Sequence, residues 1–135
     1  MNTLLTNGIR EMGLDETRPG VEKMQAYLDR LLEKNKVLNL TAVNDPDEAV
    51  KLHLLDSMAI FTALDLKDKS VLDVGTGGGM PGSVIAAYEP TSRVTMLDST
   101  AKKLNFIDET CRELGIGAKT GPRGGFCENL CPREL

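Results

Sequence analysis

Histidine and cysteine are scarce in this chain, and no long apolar run exists. Of 135 residues one is histidine, at position 53, and three are cysteine, at 111, 127 and 131. Zinc and similar metals are held by clusters of those two residue types at short spacing. Cys127 and Cys131 stand four apart, but no second cysteine pair accompanies them and His53 is remote, so no metal is expected. Three cysteines without an export signal argue against a disulfide framework and leave reduced thiols as the expectation. Cys111 falls on the apolar side of a helical pattern and reads as a small buried hydrophobe. No run of about 18 apolar residues is available for a membrane-spanning helix. The opening MNTLLTNGIREMG has neither the basic start nor the apolar core of a secretory signal. A cytoplasmic location is therefore expected, and the sequon Asn39-Leu40-Thr41 has no meaning there. Excess positive charge is lacking too: 16 Lys and Arg against 20 Asp and Glu give a net charge of -4. No overall basic field attracts nucleic acid, although net charge bears on non-specific attraction and not on any local site.

What is present is an ordinary 41 % of hydrophobic residues, organised in two styles. Residues 21 to 40 place Met24, Leu28, Leu31, Leu32 and Leu38 near helical spacing, with charge on the other side, and a shorter helix from Leu4 to Met12, ended by Gly13, precedes them. Asp45 can cap, Pro46 suits a first helical position and Glu48 stands three beyond the cap, which predicts a helix from Pro46 to about Leu64. Residues 1–67 thus read as an all-helical N-terminal segment. From Lys67 the pattern changes. Ser70 to Val74 is a short apolar run bounded by charge and glycine, Gly82 to Tyr88 is helical, and Arg93 to Asp98 is a second strand-like run. A helix capped by Ser99 or Thr100 and closed by Gly115 follows. Strand, helix, strand, helix is the beginning of a parallel α/β sheet.

Between the first strand and its helix lies VLDVGTGGGMPG, residues 71–82, with five glycines in twelve residues. A glycine turn there lets the backbone approach a ligand closely and aims amides at it, the physics of nucleotide sites. Two registers compete: Gly75, Gly77 and Gly79 form G-x-G-x-G, while Gly77, Gly79 and Gly82 satisfy the dinucleotide spacing G-x-G-x-x-G. The first begins at the strand end, where the tight turn is needed; the second starts late and encloses Pro81. Asp73 sets a carboxylate at the mouth of the turn, where a pyrophosphate would be repelled and the cationic amino acid end of S-adenosylmethionine favoured; its alternative role is a turn former. Asp98 ends the second strand about twenty residues on, where an acid can accept hydrogen bonds from both ribose hydroxyls. Met80 would add apolar contact or simple packing. A nicotinamide-dependent oxidoreductase is the less favoured reading of the same turn.

With NLTAV at 39–43, HLLDSM at 53–58, LDVGTGGGMPG at 72–82 and MLDSTAKKLNFI at 96–107, the chain resembles the bacterial small-subunit (16S) ribosomal RNA guanine-N7 methyltransferase family, the RsmG or GidB type. The resemblance covers roughly residues 1–120. It implies an N-terminal helical segment followed by the first half of a Rossmann-like S-adenosylmethionine-dependent methyltransferase fold, with residues 68–120 as that half. It implies that Gly75 and Met80 touch the cofactor, that Gly77, Gly79 and Asp98 support it, and that the partner is 16S ribosomal RNA or the small ribosomal subunit. No catalytic residue is assigned: His53 reads as a structural histidine, since methylation of guanine N7 needs alignment of a ring lone pair more than a general base.

Beyond Thr120, GPRGGFCENLCPREL has neither strand alternation nor a helical face. Residues 121–135 are expected to be a disordered tail foreign to the family, produced by truncation or a reading-frame slip, and the family's third strand is not recognised. A non-catalytic remnant that binds at most cofactor or RNA is the second functional reading.

Overall fold

The structure is a computed structural model and describes residues 2–122. Helix α1, Thr3–Glu11, starts where the Asn2 side chain accepts hydrogen bonds from the Leu4 and Leu5 amides, and buries Leu5 and Ile9. Helix α2, Gly20–Lys34, buries Val21, Met24, Tyr27, Leu28 and Leu31, the stripe that its periodicity predicts. It ends earlier than expected. The Asn35 side chain accepts from the Leu40 and Thr41 amides at 2.7 and 2.9 Å and donates to the Thr41 carbonyl at 2.9 Å, which folds 35–41 into a stapled turn instead of a further helical turn.

Residues 46–62 form a helical segment of changing pitch. Helix α3, Pro46–Ala49, begins with the Glu48 amide on Asp45 Oδ2 at 2.9 Å, as the capping pattern requires. A π-helical stretch, Val50–Leu55, follows, then helix α4, Asp56–Met58, and a 3-10 turn, Ala59–Thr62. Apolar periodicity predicts helix here; it does not predict the widened turn around His53.

Strands β1, Ser70–Val74, and β2, Arg93–Asp98, and helices α5, Gly82–Tyr88, and α6, Ala101–Leu114, lie where the sequence places them. Gly115 closes α6 in the left-handed region at φ 70°. A third strand, β3, Ala118–Pro122, is also present and pairs in parallel with β2, from Val94 opposite Ala118 to Asp98 opposite Pro122. The expectation that no third strand is present is corrected by this element. Its sequence AKTGP has no apolar alternation, and pairing with β2 supplies what local propensity does not. The boundary expected at Thr120 consequently falls inside a strand, and 123–135, where disorder was expected, lie outside the described residues.

Sheet order is β1-β2-β3, all parallel. With right-handed crossovers, α5 and α6 lie on one face of it. Every residue of α5 is buried, because α2 packs over it from the far side. At Gly20 a Cβ would sit 1.8 Å from the Ala87 carbonyl oxygen, so the backbones of α2 and α5 meet directly. The helices of 1–67 and the sheet of 68–122 thus share one continuous core, from Leu5, Tyr27 and Leu54 to Ile85, Met96 and Ile107. Among the described residues no helix is long and apolar enough to cross a membrane.

Candidate functional site

The glycine turn leaves the carboxyl end of β1 and is pinned on three sides. The Gly75 and Thr76 amides donate to the Leu97 carbonyl at 2.8 and 2.9 Å, which ties the start of the turn to β2. Asp73 Oδ2 accepts from Thr76 Oγ1 at 2.6 Å and from the Gly82 amide at 3.0 Å, clamping strand end, turn and start of α5 together. Of its two sequence-level roles, this geometry is that of the turn former. From the helical side, Tyr27 donates its hydroxyl to the Gly78 carbonyl at 2.7 Å. Burial pushes the Tyr27 phenol well above its ordinary value, so it is a neutral donor there.

The glycines divide by what surrounds them. Gly75 and Gly77 have φ of 73° and 59°, and a Cβ on either would meet nothing within 4 Å. Their backbone faces open space. Gly79, at φ 94°, faces the opposite way, and its Cβ would lie 2.1 Å from the Tyr27 hydroxyl. At Gly82 a Cβ would meet Met96 at 2.5 Å, so this glycine serves helix–sheet packing. The open pair, Gly75 and Gly77, begins at the strand end, as in the earlier of the two registers.

Asp98, 8 % exposed, closes the turn from β2. Its Oδ2 accepts from the Gly77 amide at 2.9 Å and its Oδ1 from the Thr100 amide at 3.0 Å. Each oxygen retains a second lone pair. Burial pushes its pKa up, but the Gly77 and Thr100 amides and the Lys103 charge together outweigh this and hold the carboxyl below the usual range. It stands as a fixed negative acceptor beside the open glycines. The structure brings the predicted Gly75, Gly77 and Asp98 together at this turn; Tyr27, which pins the turn from the helical side, is not among the residues the sequence singles out, its only signal being membership of the apolar stripe of α2.

Met80 lies at the other end of the turn, joined to Pro81 by a cis peptide. Both line a cleft of about 430 Å³ together with Leu52, His53, Asp56, Ser57 and Ile60 of the helical segment. His53 is positioned from behind by a 2.7 Å hydrogen bond between its Nε2 and the Thr41 hydroxyl, which also accepts the Val43 amide at 3.1 Å. Burial lowers the His53 pKa, with the Asp56 charge opposing. Two of the motifs, NLTAV and HLLDSM, therefore meet side chain to side chain next to the third.

A parallel sheet entered through a glycine turn, with an acid at the end of the adjacent strand, defines part of a Rossmann-like fold of the methyltransferase kind. The profile of the family described as rRNA small subunit methyltransferase G, GidB, matches residues 20–120. The chain is 44 % identical over 112 residues to the Ribosomal RNA small subunit methyltransferase G of Pseudomonas putida, covering 83 % of this chain and 52 % of that protein. With the protein of the same name from Methylobacillus flagellatus it shares 45 % over 116 residues, 86 % of this chain and 56 % of the other. With that of a Psychrobacter species it shares 40 % over 134 residues, 99 % of this chain and 58 % of the other. The chain belongs to the GidB family, and it spans about half the length of the curated relatives it matches.

Proposed function

We propose that this chain carries the cofactor-binding half of an S-adenosylmethionine-dependent methyltransferase that acts on guanine N7 of small-subunit (16S) ribosomal RNA in the cytoplasm. The observation that carries the cofactor assignment is the pairing of two open, left-handed glycines, Gly75 and Gly77, with the ionised Asp98 beside them. The residues fit the group: bare backbone admits it closely, and the remaining lone pairs of Asp98 suit ribose hydroxyls. Met80 offers apolar contact, and Gly79 supports the turn by seating it on Tyr27. S-adenosylmethionine, when bound, supplies an electrophilic methyl group. The turn and Asp98 hold and orient, and guanine N7 already has a lone pair, so the reaction requires alignment and no dedicated base. The RNA substrate and the N7 position rest on family membership and on what the relatives' names say of those proteins.

A second reading, cofactor or RNA binding without transfer, is favoured by one feature: among the described residues β1 has no partner strand on its outer edge, so a ligand at the turn would be lined from the turn and the β2 side only. Calorimetric titration of the chain with S-adenosylmethionine and with NAD tests the cofactor assignment. Binding of the first and not the second is expected; binding of NAD alone would reject it. A radiolabelled methyl assay on small ribosomal subunits then separates transfer from binding.

A further inference from the structure

The cleft between the π-helical stretch and the end of the glycine turn has no role in the cofactor assignment beyond Met80. Its volume, about 430 Å³, lies within the range of small-molecule pockets. It is lined by the apolar Leu52, Ile60, Met80 and Pro81 and by three polar side chains, His53, Asp56 and Ser57. Two of these have partners. Ser57 donates to the His53 carbonyl, and the Nε2 of His53 is engaged by Thr41. Asp56 differs: its residue is exposed and it forms no ion pair among the described residues. The helix is also irregular here, and π turns concentrate at functional sites.

We propose that this cleft is the acceptor-base subsite, and that Asp56 recognises guanine by accepting hydrogen bonds from its N1–H and N2–H groups while the base lies against the apolar walls. This rests on the methyltransferase reading. Guanine offers two adjacent donors on that edge, whereas adenine presents a ring acceptor that a carboxylate repels, and N7 lies on a different edge, left free for reaction. In the transfer the N7 lone pair forms the new N–C bond while the S–C bond breaks with its electron pair staying on sulfur. Positive charge passes from sulfur to the purine, and no proton moves. That charge strengthens N1–H as a donor, so the Asp56 interaction grows as the reaction proceeds, which is the condition for it to accelerate the step.

The test needs no turnover. The chain, with its Met and Ile methyl groups labelled for NMR, is titrated with GMP, AMP and 7-methyl-GMP, and separately by calorimetry with S-adenosylmethionine. GMP is expected to shift the Met80 and Ile60 methyl signals and to bind about tenfold more tightly than AMP, with 7-methyl-GMP tighter still. Asp56→Asn is expected to abolish both preferences while leaving the circular dichroism and the S-adenosylmethionine affinity unchanged. Equal affinities for GMP and AMP, or preferences that survive in Asp56→Asn, overturn the proposal even if the cofactor binds. Weakened S-adenosylmethionine binding in Asp56→Asn, with no GMP shifts, overturns it by giving the cleft to the cofactor. Failure of the wild-type chain to bind S-adenosylmethionine counts against the underlying cofactor reading instead, and GMP preference at Asp56 is read independently of it.

Discussion

Gly75 and Gly79 share a left-handed backbone and differ in what a side chain would touch, so the same substitution has different consequences at each. Gly75→Ala adds a methyl to open space at φ 73°, and strain of about 1 to 2 kcal/mol is expected from the backbone alone. On the proposed cofactor reading its larger expected effect is a loss of S-adenosylmethionine affinity in calorimetric titration, because the methyl would fill space left for the ligand. Gly79→Ala adds the same strain and drives a carbon to 2.1 Å from the Tyr27 hydroxyl, so a loss above about 3 kcal/mol is expected in urea unfolding. Adding Tyr27→Phe to Gly79→Ala should recover part of it by removing that oxygen. Equal losses at the two glycines would contradict the division of the turn into a ligand side and a packing side. Asp98→Ala strands the Gly77 and Thr100 amides, about 2 kcal/mol at neutral pH. The carboxyl is held below its ordinary 3.8 in the folded state, so its contribution is present above that value and is lost as pH falls through the lower folded value. Wild type and variant should therefore converge in stability in strong acid, and a difference that is constant with pH would refute the ionised role.

At the scale of elements, the staple at Asn35 and the imidazole it indirectly supports form one device. Asn35 fixes Thr41, and Thr41 holds His53. Asn35→Ala should cost about 2 kcal/mol by leaving the Thr41 amide and carbonyl without their Asn35 partner, and it should broaden the His53 ring signals in NMR while Met24 and Leu28 stay packed. The pH dependence has the same sense as that of Asp98 but begins at a higher pH. Burial lowers the His53 pKa from 6.5, so the unfolded chain takes up the proton first, and the folded state loses stability as pH falls through 6.5 until the lower folded value is passed. His53→Gln should flatten that part of the profile; an unchanged slope would mean that another group carries it. These elements mark the limit of what the sequence makes legible. Strand β1, helix α5, strand β2 and helix α6 are readable because apolar runs are bracketed by capping, proline and glycine signals. The tight turn after β1 is readable because its left-handed backbone at Gly75, Gly77 and Gly79 favours glycine. The π turn, the Asn35 staple and β3 are not, since each depends on partners distant in the fold: α3–α4 keep a helical apolar pattern whatever their pitch, Asn35 competes with the backbone through its side chain, and AKTGP becomes a strand by lying beside Val94 to Asp98.

At the scale of the whole molecule, the sheet is covered unevenly. The helices α5 and α6 and, behind them, α2 cover one face and bury Val94 and Met96 on it, whereas on the other Leu72 and Val74 of β1 are 43 % and 45 % exposed. The register sets Leu72 beside Thr95 and Val74 beside Leu97, so these side chains stand on one face of a strand whose outer edge has no partner among the described residues. The same side carries a hollow of about 810 Å³ bordered by Leu72, Arg93, Thr95 and Lys119. An apolar strand at a sheet edge is a template for pairing with another chain, and parallel sheets are ordinarily buried on both faces. The shared core makes the helical part unable to compensate, since α2 is already committed to α5 by the contact at Gly20. Self-association through β1 is therefore expected to rise with concentration, and Leu72→Lys with Val74→Lys should suppress it, because lysine on an edge strand opposes pairing by charge and solvation. Light scattering across a concentration series reads the mass, and circular dichroism checks that the fold is retained. A chain that remains monomeric at high concentration without the substitutions, or a double variant that associates as strongly as the wild type, would show that the β1 edge and face are not the adhesive surface.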